Sequence, residues 1–150
     1  MDADTAPALV ASLADMCLEC GVLPTSGDVL RGCIIPSVCL VAVDRMGRAV
    51  SCATSATYAY PDHPALGRQA WWSMLATAPA RRGQRLALIL GAMAMQAMHE
   101  VSGLRDFMTG IETGNTASEA LCSRLGLAPG GHVIVGCSDP ASLASGRMTK

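Results

Sequence analysis

Apolar positions recur along the chain with two periods, and the changes between them mark its elements. From Pro7 to Cys20, Leu9, Leu13, Met16, Cys17 and Cys20 share one helical face. Pro7 suits a first-turn position and Gly21 a stop. The polar segment Thr25–Asp28 is placed to cap a short second helix, Val29–Ile34, which Pro36 ends. Ser37–Val43 and Ala49–Tyr60 read as strands joined by the turn Asp44–Gly47, and so predict a hairpin. After the loop segment YPDHPALG, Gln69–Ala78 predicts a third strand.

Gln84–Val101 carries a long helical pattern with Gly103 just past its end. Asp106–Thr113 predicts a fourth strand. Asn115 or Thr116 then caps a helix running to about Leu125 and closed by Gly126. His132–Cys137 reads as a last strand and the residues from Ser138 as a loose tail. The order α α β β β α β α β places antiparallel strands first and a β-α-β crossover after them. That crossover requires a parallel pair, so the fold class is α/β with a mixed sheet and helices on both faces.

The long helix is apolar nearly all round. Ala87, Gly91, Ala94 and Met98 suit the sheet-facing side, while Leu88, Ile89 and Met95 point elsewhere. Such a helix is usually covered on both sides, which predicts a homodimer contact or packing by the N-terminal helices.

At 150 residues the chain is read as one domain: helical residues 1–36, a core 37–137 and a tail 138–150. Half of it is apolar, with two Trp, two Tyr and one Phe, so aliphatic residues, Met and Ala must build the core. A net charge of -1 argues against broad nucleic-acid binding. Seven cysteines without a framework spacing, and no basic stretch in MDADTAP, fit a reduced, cytoplasmic protein without a signal peptide. The apolar run Leu86–Met98 falls short of the ~20 residues of a membrane span.

The candidate chemistry sits where the third strand meets the long helix. Arg81, Arg82 and Arg85 surround Gly83 immediately before the helix begins. Free N–H groups and the positive end of the dipole make such a start an anion site, suited to phosphate or pyrophosphate. An ordinary solvated helix start is the plainer alternative. Neither G-x-x-x-x-G-K-[ST] nor G-x-G-x-x-G occurs, which disfavours a nucleotide site.

Cys17 and Cys20 have a C-x-x-C spacing but fall on an apolar face, which favours core packing over metal, and no metal site is expected. Cys33, Cys39, Cys52 and Cys137 read as core filler. His63 beside Asp62 reads as a surface loop histidine, and His99, with Gln96 and Glu100, as solvated. Glu112 is either a base or a surface carboxylate.

Two segments carry a family resemblance. T-A-P at Thr77–Pro79 followed by R-G-Q-R-L-A at Arg82–Ala87 resembles V-x-P and then Q/R-x-x-G-x-G/A, the cofactor motif of the GNAT acyltransferase superfamily. N-T-A-S-E-A-L-C-S-R-L-G-L, Asn115 to Leu127, resembles the family block N-x-x-[SA]-x-x-x-Y-x-x-x-G-F. The likeness spans roughly Ser37 to Gly136.

It implies a GNAT-like fold and acetyl-CoA as co-substrate, with the pyrophosphate held by Arg82, Gly83, Gln84, Arg85, Leu86 and Ala87. It further implies that the strand Leu75–Ala78, Leu75 and Thr77 included, lies along the pantetheine arm. Asn115 then contacts the pantetheine region, and the backbone N–H near Leu75 polarises the thioester carbonyl. The implied reaction is direct attack by a primary amine of a small molecule or peptide, with Glu112 or water taking the proton and Cys122 in the position of the leaving-group acid.

The sequence departs from the family in three places. Arg85 stands for the central Gly, Cys122 stands for Tyr, and the chain opens on a helix where the family has a first strand. These departures support an alternative: a catalytically silent GNAT-like domain that binds coenzyme A or serves as a regulatory or assembly module.

Overall fold

The computed structural model describes residues 5–22, 37–57 and 67–130. The expected helix Val29–Ile34, the end of the second strand at Tyr58–Tyr60, the His63 loop, the strand His132–Cys137 and the tail lie outside them, as do Cys33 and Cys137.

Helix α1 spans Thr5–Glu19. Leu13, Met16 and Cys17 are buried on the expected face, with Leu9 and Cys20 packed beside them. Its end is a Schellman motif: Val22 N–H bonds Cys17 O at 2.9 Å and Gly21 N–H bonds Leu18 O at 3.0 Å, with Gly21 at φ +71°. Strands β1 (Ser37–Val43) and β2 (Ala49–Thr57) form the expected hairpin. The Asp44 carboxylate organises the turn, accepting from the N–H groups of Met46 (2.8 Å) and Arg48 (3.0 Å). These backbone bonds, led by that from Arg48, hold its carboxyl below the usual range.

Strand β3 (Gln69–Thr77) pairs antiparallel with β2, and β4 (Asp106–Met108) pairs parallel with β3, giving the order β1-β2-β3-β4. The crossover between β3 and β4 is helix α2, Leu86–Ser102, closed by Gly103 at φ +74°. Alternate residues of β1 face opposite sides. Cys39 and Val41 pack with α1, whereas Val38 and Leu40 pack with Leu90 and Ala94 of α2, so helices cover both faces. Helix α3, Thr116–Arg124, lies on the α2 side through Cys122, Leu121 and Leu125.

The sheet-facing side of α2 is Leu90, Gly91, Ala94 and Met98. Gly91 is needed there because a Cβ would stand 2.7 Å from Trp72 Cζ2 and 3.2 Å from Leu125 Cδ1. The Trp72 ring is held by packing alone, since its Nε1 has no partner among the described residues. Met95, expected to point away, packs against this same cluster. On the far side Ile89 (51%), Met93 (50%) and Val101 (65%) stay exposed. Helix α1 does not cover them, because it occupies the other face of the sheet.

Three expectations need correction. Helix α2 starts at Leu86 rather than Gln84, because Arg85 is left-handed at φ +60°. The fourth strand ends at Met108 rather than Thr113. Its partner is lost after Trp71, and by Glu112 the chain has turned, with Asn115 N–H on Glu112 O at 3.0 Å. His99 is not solvated: it is half-buried, and its Nδ1 donates to Leu104 O at 2.9 Å.

Candidate active site

The site begins with an interruption in β3. Thr54 pairs with Ser73, and Cys52 with Ala76. Two steps along β2 therefore match three along β3, and Ala53 faces a bulge formed by Met74 and Leu75. The extra residue reverses the alternation. Trp72 packs on the α2 face, but Met74 and Ala76 pack on the α1 face and Leu75 on the α2 face. Met74 holds φ +50°, the left-handed region, which is unusual for a residue with a Cβ. Nothing in WWSMLAT announces this, because bulges of this hand usually carry glycine.

Side chains of β2 brace the interruption. Ser51 Oγ donates to Ala76 O (2.9 Å), Cys52 Sγ to Met74 O (3.1 Å), Thr54 Oγ1 to Ser73 O (3.0 Å) and Ser55 Oγ to Trp71 O (3.2 Å). Cys52, read from sequence as filler, is thus bonded to the strained residue itself. The Thr77 hydroxyl is joined to Ser51 Oγ at 2.8 Å, so it belongs to this bracing as well as to the strand end.

The two parallel strands part just before the bulge. Strands β3 and β4 pair only at Gln69/Asp106, Ala70/Phe107 and Trp71/Met108. Beyond Trp71, among the described residues, β3 has a strand neighbour on its β2 side alone. Its second half, with Leu75 at its centre, presents an open edge that leads into the turn before α2.

That turn is a single 3₁₀ turn, Pro79–Arg81, followed by Gly83 at φ +79° and Arg85 at φ +60°. The first backbone bond into α2 runs from Ile89 N–H to Arg85 O at 3.1 Å. The N–H groups of Gly83, Gln84, Arg85, Leu86, Ala87 and Leu88 have no backbone acceptor among the described residues, and no side chain caps the helix. Arg81, Arg82 and Arg85 are exposed around them, in ion pairs with no described carboxylate. N–H groups without a backbone acceptor, a helix dipole and three exposed guanidinium groups suit a pyrophosphate.

Arg85 reproduces the positive φ that glycine would adopt at that position, with its side chain directed to solvent.

The second block forms α3 and its cap. Asn115 Oδ1 accepts from Ser118 N–H at 3.1 Å, which commits the amide oxygen to the helix and leaves the NH₂ exposed. A second Schellman motif, Leu127 N–H to Cys122 O at 3.0 Å with Gly126 at φ +84°, ends the helix. Cys122 is buried, in one cluster with Trp72, Leu90 and Leu75. Desolvation pushes its thiol above the ordinary value, so it stays neutral at physiological pH. Glu112 is exposed at the turn before Asn115.

The structure therefore brings Leu75, Thr77 and the 82–87 turn into one continuous path. It puts Cys122 in the same apolar cluster as Leu75 and keeps Glu112 and Asn115 on the surface. Among the described residues no group of three or more His, Cys, Asp or Glu is placed to hold a metal, and no helix is long and apolar enough to cross a membrane.

No protein-family model matches the chain, and no curated protein matches it. Solved structures do. A putative acetyltransferase from Agrobacterium tumefaciens superposes with TM-score 0.67 at 18% identity, covering 88% of this chain and 95% of that one. AAC(6')-Iy, solved with the bisubstrate analogue CoA-S-monomethyl-acetylneamine, gives 0.64 at 17% identity, over 87% and 91%. Glucosamine-6-phosphate N-acetyltransferase from Arabidopsis thaliana gives 0.64 at 11% identity, over 93% and 95%. With its short parallel β3–β4 pair and α2 crossover, this chain has the GNAT acetyltransferase fold.

Proposed function

We propose that the chain transfers an acetyl group from acetyl-CoA to a primary amine. The observation that carries this reading is the continuity of the open β3 edge, broken at Met74–Leu75, with the unpaired N–H groups of Gly83–Leu88. An extended amide-bearing arm ending in a pyrophosphate matches the order of that path, a strand edge followed by a basic turn. Leu75 N–H donates to the thioester oxygen, and the turn 82–87 holds the phosphates.

In the reaction the amine nitrogen attacks the thioester carbonyl, the C–S bond breaks, and the amine proton leaves to Glu112 or water. The thiolate of coenzyme A takes up a proton in turn. Proximity and carbonyl polarisation supply most of the acceleration. Cys122 is read as a packing residue, because it is buried among apolar neighbours. The acceptor is an amine on a small molecule or a peptide. AAC(6')-Iy and the glucosamine-6-phosphate enzyme support the small-molecule class.

Buried Cys122 also favours a second reading, a domain that binds coenzyme A without transfer. Incubating the purified chain with radiolabelled acetyl-CoA and a panel of aminoglycosides, amino sugars, polyamines and peptides separates the two. Label in an acceptor at a rate above the uncatalysed one is expected. Coenzyme A binding with no transfer to any amine supports the silent domain, and no binding contradicts both.

A further inference from the structure

The bulge is only useful if it is fixed, and the β2–β3 register breaks across it. The pairing of β2 with β3 skips Ala53, Met74 and Leu75. A residue with a Cβ persists in the left-handed region only when its surroundings hold it there. Ser51, Thr54 and Ser55 bond carbonyls on either side of the interruption, but Cys52 bonds the carbonyl of Met74 itself, at 3.1 Å. The thiol is wholly buried. Its sulfur lies 3.9 Å from Cys17 Sγ, on the face of α1 that packs over the bulge. Because the Cys52 proton is committed to Met74 O, the proton shared between the two sulfurs is that of Cys17. The chain Cys17 → Cys52 → Met74 O then ties α1 to the bulge.

We infer that Cys52 is a positioning residue, whose thiol holds the Met74 carbonyl and so aims the Leu75 N–H at the reacting carbonyl. Its consequence for rate rests on the acetyltransferase reading; its consequence for the bulge does not. The two parts are therefore measured separately on the full chain. One measurement is amide hydrogen exchange at Leu75. The other is acetyl transfer, alongside coenzyme A affinity by calorimetry.

Cys52→Ala is expected to raise exchange at Leu75 about tenfold while leaving β1 unchanged. It should also lower kcat about tenfold, because the donor is misaimed. Coenzyme A affinity should stay within about twofold, since the 82–87 turn is untouched. Cys52→Ser, which keeps a donor, should restore both exchange and kcat. Cys39→Ala removes a thiol from the same cluster without this bond and should change neither.

Wild-type exchange at Leu75 in Cys52→Ala, or a Cys52→Ser variant as impaired as Cys52→Ala, would overturn the inference. If Cys52→Ala does not fold, the near-isosteric pair Cys52→Thr and Cys52→Val poses the same contrast of donor against none, with the same outcomes. A wild-type chain that transfers to no amine contradicts the acetyltransferase reading alone, and exchange then decides the role of Cys52.

Discussion

Arg85 concentrates the tension between sequence and structure in one residue. It stands where the resembled motif has glycine, and it takes the glycine-like φ of +60°. An L-residue in that region is strained by roughly 1–2 kcal/mol, and glycine loses about 0.5–1 kcal/mol more backbone freedom on folding. Arg85→Gly should therefore stabilise the chain by about 0.5–1 kcal/mol in urea unfolding. It should also keep or improve coenzyme A affinity; a large loss of affinity would make the guanidinium itself a ligand.

Cys122 tests the opposite kind of departure. Buried with Trp72 and Leu90 and kept neutral by desolvation, it is expected to act through packing. Cys122→Ala should lower stability slightly and leave kcat nearly unchanged. A fall of about a hundredfold or more, the scale of general acid catalysis, would instead make it the leaving-group acid.

Among the elements, those with strong periodicity and their own punctuation were readable in advance. β1 has the bounds its alternation predicts, and both Gly21 and Gly126 end helices with positive φ. The start of α2 and the end of β4 were not, since each is set by a neighbour. Arg85 takes the left-handed region at the end of the preceding turn, and β4 stops where its pairing with β3 ends, at Trp71/Met108.

Gly91 shows how close α2 lies to the sheet. Helix propensity alone favours Gly91→Ala by about 1 kcal/mol. A methyl 2.7 Å from the Trp72 ring reverses this, because the ring is locked by its cluster. Overpacking of this kind costs about 1–3 kcal/mol, so a net loss of thermal stability is expected. A more stable variant would mean that the helix stands farther from β3.

For the whole molecule, the two-sided mixed sheet followed from element order, because a strand–helix–strand crossover demands a parallel pair. The exposed basic turn ahead of α2 was legible from its arginines and glycine. The bulge was not, and with it went the role of Cys52, whose meaning lies in a contact across strands.

The cysteine-rich α1 face makes a further collective prediction. Burial first, then the neighbouring Cys17, pushes the Cys39 thiol from 9.0 up to about 11, and burial raises Cys17 and Cys52 as well. Unfolded thiols ionise first as pH rises. Stability from these groups is complete below pH 9.0, and the Cys39 share is lost between there and about 11. The urea midpoint should fall across that window under reducing conditions; a flat profile would place these thiols in water.

The most direct test of the central claim is a titration of the ¹⁵N-labelled chain with acetyl-CoA, followed by NMR amide shifts. Saturable shifts are expected in two groups, the turn amides Gly83–Leu88 and the strand amides around Leu75, with free coenzyme A moving the first as strongly. Shifts confined to other surfaces, or none at millimolar ligand, would contradict the claim that the broken β3 edge and the arginine turn form one acyl-coenzyme A site.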